Sequence, residues 1–220
     1  LALEEGLADR ALEALQGAER SADPAQFFHL RAIAHFDLVD LEKSRDDAER
    51  ALAVQPELAE AHDLLSRVYE HLGDTARSAE HAEAAEQLDR EAFPAALEIS
   101  DEDFDAIVER SVRELPERVR KELGEVPVVV QPLPGRELLV ADTPPLPPDI
   151  LGLFSGRHLM ERSHTDVPDL PGSIYLFRSN LMRACADREE LEKEIRITVQ
   201  HEVGHLLGLD EDDLEEWGLA

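Results

Sequence analysis

The chain has 220 residues, of which 43% are hydrophobic, with 50 acidic side chains against 22 basic ones and a net charge of −28. That composition excludes wholesale disorder, and so acidic a surface argues against nucleic acid and membrane partners and for basic peptides or divalent cations. The single cysteine, Cys185, excludes an internal disulfide and a four-cysteine zinc site, and no apolar run nears the roughly 18 residues of a membrane helix. No leader segment is visible, so a cytoplasmic protein is expected.

The first 97 residues are rich in Ala, Leu and Glu, which favour helix. They repeat with a period of 34. Aligning Ala25–Leu58 with Ala59–Ala92 sets Phe28 on His62, Ala32 on Ser66, His35 on Tyr69 and Leu38 on Leu72. It also sets Asp40 on Asp74, Ala48 on Ala82, Ala51 on Ala85 and Val54 on Leu88. Small residues recur where helices must approach closely, and Val39-Asp40 and Gly73-Asp74 fall at the turn inside each unit. The pattern resembles the tetratricopeptide repeat, a helix–turn–helix unit of this length. Gly6–Arg20 reads as the second helix of a further unit. Two full units are fewer than the three or so that such arrays need, so the array is expected to continue upstream or to pack on the second part.

The second part, residues 98–220, opens on Ser100, an N-cap signal with Asp103 at the capping-box position. Phe104, Ile107, Val108, Val112 and Leu115 then give one helical face, and Glu117–Leu123 reads as a short helix after Pro116. Val126–Val130 is a strand by its β-branched run. Seven of the 13 prolines fall between Pro127 and Pro148, and Pro132–Pro148 reads as a long proline-rich loop. Leu151–Phe154 and Arg157–Glu161 read as short strands around Ser155-Gly156, and Ser173–Phe177 as a further strand. Ser179–Cys185 is predicted helical. The clearest helix is Asp187–Leu207, with Asp187 as cap, Glu189 and Glu190 at its positive end, and Gly208 to stop it. Leu214–Trp217 is a short terminal helix.

Within that long helix lies His201-Glu202-Val203-Gly204-His205. Residues i and i+4 differ by about 40° on a helix, so both imidazoles leave one face a turn apart. Two nitrogens so placed suit one Zn²⁺, while Glu202, rotated by about 100°, flanks the ion and can take a proton from its water. This is the HExxH arrangement of zinc metallopeptidases. The apolar residues Ile195, Ile197, Val199, Val203, Leu206 and Leu207 are expected to bury the helix and anchor the ligands. Gly208 lets the chain turn back, and Asp210, Glu211, Asp212 and Asp213 follow at once to offer a third ligand. His158, His164 and Tyr175 are weaker candidates for lining the cleft, and Cys185 reads as a buried apolar residue.

Gly208 and Glu211 extend the motif to a form similar to the metzincin signature, with Glu where His or Asp usually stands. More closely, Asp101–Leu219 resembles the small bacterial minimal zincin family of zinc metallopeptidases. The matching pieces include Phe104–Arg110, Gly152–Gly156, Ile174–Arg178, Leu181–Cys185 and His201–Glu215. The resemblance implies a compact zincin core, with His201 and His205 as metal ligands, Glu202 as general base and Glu211, at the eleventh motif position, as third ligand. The family often has a second His after the motif's last one, where this chain has Leu206.

The expected fold is therefore α+β: tetratricopeptide-like helical repeats over residues 1–97, then a zincin-like domain over 98–220. The expected function is hydrolysis of peptide bonds with one Zn²⁺, the repeats docking a protein partner or the substrate. The alternative, from another class, is a non-catalytic adaptor with a zinc-stabilised domain. An open metal position distinguishes the enzyme from the adaptor.

Overall fold

A computed structural model describes residues 8–18, 22–124, 126–141, 143–156 and 172–209. The chain is mixed α+β, mostly helical, with a small three-stranded sheet among the described residues. It divides into two compact units, residues 1–95 with 134–148 and residues 96–133 with 149–220. The chain thus passes between units three times, whereas composition alone suggests one break near residue 97. The expected strand Arg157–Glu161 and terminal helix Leu214–Trp217 lie outside the described residues, as do His158 and His164.

The first unit contains α1 (Ala8–Leu15), α2 (Pro24–Asp37), α3 (Leu41–Val54), α4 (Ala59–His71), α5 (Thr75–Leu88) and the single turn α8 (Arg136–Leu139). Asp23 caps α2 by accepting from the amides of Ala25 and Gln26, with Pro24 in the first turn, where its missing N–H costs nothing. Asp74 caps α5 through the Arg77 amide, whereas Asp40 pairs with Lys43 instead. The recurring small residues do the expected work. Ala32, Ala48, Ala51, Ser66 and Ala85 are buried, and the Ser44 hydroxyl donates to the Ala32 carbonyl at 2.8 Å, which brings α2 and α3 together. A fork of two bonds from Arg31 to the buried Asp47, at 2.6 and 2.7 Å, clamps the same pair. Ala82 is exposed although its counterpart Ala48 is buried: α3 packs on both α2 and α4, and α5 packs on α4.

The turns inside the two hairpins share one backbone requirement. Val39 has φ of 61° and Gly73 has φ of 77°, both left-handed. Val is poorly suited to that region, and its side chain stays because it is buried. At Gly73 nothing lies within 4 Å of where a Cβ would sit.

The second unit contains α6 (Asp101–Glu114), α7 (Glu117–Leu123), β1 (Val128–Gln131), β2 (Gly152–Ser155), β3 (Ser173–Phe177), α9 (Arg178–Arg183) and α10 (Arg188–Leu207). The sheet order is β1-β3-β2, with β1 parallel and β2 antiparallel to β3. Residues Ile174, Leu176, Leu191, Ile195, Val199, Val203, Phe104 and Ile107 share one core, which packs α10 against β3 on one side and α6 on the other. Ser100 caps α6 through the Asp103 amide at 3.1 Å, as the sequence predicts. Arg178 ties this cap to the end of β3, through the Ile99 carbonyl and the Asp101 carboxylate. Cys185 is buried, and burial followed by the nearby acids Glu194, Glu190 and Asp187 pushes its thiol up to about 11, so it is unreactive as a thiolate. No helix among the described residues is long and apolar enough to cross a membrane.

Because the space around Gly73 is open, replacing it by Ala tests the backbone alone. Gly73→Ala should lower unfolding free energy by about 1 kcal/mol, measured by urea denaturation with an unchanged slope. No loss would contradict a conformational requirement at this turn.

Candidate metal centre

The candidate site is built on α10. Asp187 caps the helix by accepting from the Glu190 amide at 3.0 Å, and Gly208, with φ of 72°, closes it in the left-handed conformation that glycine adopts freely. Leu191, Ile195, Val199, Val203 and Leu206 are all fully buried. At roughly 1.5–3 kcal/mol for each such side chain, packing fixes the rotation of the helix about its axis. That rotation decides which residues face outward.

Ile197, His201 and His205 follow one another at i+4 on the outward face. The expectation that Ile197 helps bury the helix is corrected by the structure: it is 41% exposed, because the helical period carries it to the histidine side rather than the core side. It leaves an apolar patch one turn before the first histidine. His201 and His205 are both exposed, and their Nε2 atoms approach to 2.9 Å with the rings nearly perpendicular.

Glu202, rotated by about 100° from His201 around the helix, is 6% exposed. One carboxylate oxygen accepts from the Phe154 amide of β2 at 2.7 Å. Burial raises the affinity of this carboxyl for a proton to a pKa of about 7, and the Phe154 hydrogen bond pulls the other way without cancelling it. A buried carboxyl with one backbone donor is a costly arrangement for packing alone.

The strand that supplies that amide sits unusually close to the helix. A Cβ at Gly152 would lie 2.6 Å from Cγ2 of Thr198, 3.0 Å from Cγ of Glu202 and 3.2 Å from its Oε1. Only a glycine admits this approach. Asn180, buried on α9, donates to the Ile150 carbonyl at 2.8 Å and holds the chain just ahead of β2. The sequence places Gly152 and Phe154 in a strand and in the zincin-like resemblance, but assigns neither them nor Thr198 and Asn180 a part in the site. A glycine inside a strand candidate is itself a sign of close backbone approach, but nothing in the sequence says that the approaching element is α10.

Two imidazole nitrogens converging on one outward face are a donor set that suits zinc. A tetrahedral ion with nitrogens at ~2.0–2.1 Å holds them about 3.3 Å apart, so small side-chain rotations open the present gap. Among the described residues no group of three or more His, Cys, Asp or Glu converges. Asp210, Glu211 and Asp212 lie outside those residues.

Substituting the glycine tests the close contact between strand and helix. Gly152→Ala should destabilise the chain by roughly 1–3 kcal/mol through overpacking, and adding Thr198→Ser, which removes the colliding methyl, should recover part of that loss. A double-mutant cycle by urea unfolding reads the coupling. Additive effects would show that the two side chains do not meet.

Residues 123–219 match the family model described as zincin-like metallopeptidase. The matched stretch takes in β1, β2, β3, α9 and α10, and therefore His201, Glu202, His205 and Gly152. No curated protein matches the chain. The C-terminal part of the chain is thus similar to the zincin-like metallopeptidases.

Proposed function

We propose that residues 98–220 form a zinc-dependent peptidase domain, preceded by a tetratricopeptide-like docking domain over residues 1–97. The observation that carries this reading is the division of labour on α10. Two histidines converge outward, while the glutamate between them is buried, proton-hungry and gripped by a strand.

His201 and His205 would hold the ion, with Glu211 as third ligand and Asp210 or Asp212 as the alternatives. Zinc so held supplies Lewis acidity toward a peptide carbonyl and lowers the pKa of water in its open position to about 7. Glu202 accepts the proton of the attacking water and later passes it to the leaving amine. Its burial against Gly152 favours proton uptake, and the Phe154 amide keeps the carboxylate aimed. The sheet supports a peptide as substrate. β2 lies at the edge of the sheet among the described residues, so an extended chain can pair along it beside α10. The exposed Ile197 gives that chain an apolar contact. In the repeats, Leu65, Tyr69 and Ala85 pack between helices, and the exposed faces are left for a protein partner.

Glu202→Gln separates chemistry from folding, because the amide keeps the shape and cannot take the proton. It should retain zinc and the melting temperature, yet lose about 10²–10⁴-fold in turnover, read on a proteome-derived peptide library. His205→Ala should lose zinc as well. Wild-type turnover in Glu202→Gln would remove the general-base role, and an inert but zinc-loaded wild-type chain would favour the adaptor.

A further inference from the structure

A second pair of histidines, far from α10 in sequence, meets in the same way. His62 on α4 and His81 on α5 bring their Nδ1 atoms to 2.9 Å, the separation also found between His201 and His205. The other ring nitrogen of His62, Nε2, lies 3.1 Å from the Pro56 carbonyl oxygen, which can only accept. In the neutral ring the proton therefore sits on Nε2, and Nδ1 offers its lone pair toward His81. A backbone carbonyl that orients an imidazole from behind is the usual support of a metal-bound histidine.

His81 is held as firmly. Its ring stacks on Tyr69 with centroids 5.5 Å apart and planes within 10°. Tyr69 in turn donates to Glu49 at 2.5 Å and accepts from Arg77 at 3.0 Å. The Pro56 carbonyl thus orients His62, while Tyr69, backed by Glu49 and Arg77, orients His81, and neither ring carries an HExxH partner.

We propose that His62 and His81 form a second transition-metal site, bridging α4 and α5 through their Nδ1 atoms. Two imidazoles suit Zn²⁺, Ni²⁺ or Cu²⁺. Opening the gap from 2.9 Å to about 3.3 Å admits a tetrahedral ion. Both rings are partly exposed, and no third protein ligand converges among the described residues, so water completes the coordination. The proton that His81 places between the rings moves from its Nδ1 to its Nε2, so both rings bind while neutral. The function of such an ion is to lock α4 to α5 within the second helical hairpin.

The test is zinc binding by equilibrium dialysis on the full chain, with histidine-ring nitrogen NMR of the wild type. The wild type should bind about two equivalents. His62→Asn and His81→Asn should each weaken one site at least tenfold and keep the other, while His205→Ala does the reverse. In the wild type at saturating zinc, the Nδ1 resonances of both His62 and His81 should shift. Unchanged stoichiometry in His81→Asn, or Nδ1 resonances that stay in place, would overturn the second site whatever happens at α10. Loss of the α10 site alone would leave it standing.

Discussion

The contact between β2 and α10 is what the rest of the site depends on. Gly152 has no side chain, so the strand comes close enough for the Phe154 amide to reach a carboxylate on the inner side of the helix. That single contact lets Glu202 be buried without being orphaned. It also sets the edge strand beside α10. The hydrophobic core holds α10 in rotation, Asn180 holds the approach to β2, and the two supports meet at one carboxyl. Moving either element by an ångström would disengage the other, because interiors packed at crystal-like density have no slack.

Burial has opposite consequences for the two kinds of group on this helix. A carboxyl removed from water holds its proton more tightly, whereas an imidazole removed from water gives its proton up. Glu202 is buried and shifted upward, toward the range where a base can both take and return a proton. His201 and His205 stay exposed and so remain open to a cation from solvent. The strongly acidic chain raises the local concentration of such cations.

Much of this was legible from local chemistry. The caps at Asp187 and Ser100, the stop at Gly208 and the strand Ser173–Phe177 follow from rules that act within a few residues, and the structure has them. The histidine spacing likewise dictates convergence on one face. What was not legible depends on distant partners. Ile197 reads as core in an apolar run, but the rotation imposed by Leu191, Ile195 and Val199 turns it outward. The tie from Phe154 to Glu202 spans 48 positions, and no local signal links them. The stretch 134–148 reads as a long loop of the second part. It contains the helical turn α8 and groups with the first unit, because grouping is decided by packing rather than by chain order.

The central claim is that α10 carries an open, catalytic metal position rather than a closed structural one. X-ray absorption at the zinc edge measures this directly, on His81→Asn protein loaded with one equivalent so that only the α10 pair contributes. The account predicts two imidazole nitrogens with oxygen ligands, and a first shell that changes when a small hydroxamate displaces water. A chain that cannot be loaded, or a spectrum indifferent to the hydroxamate, would contradict it.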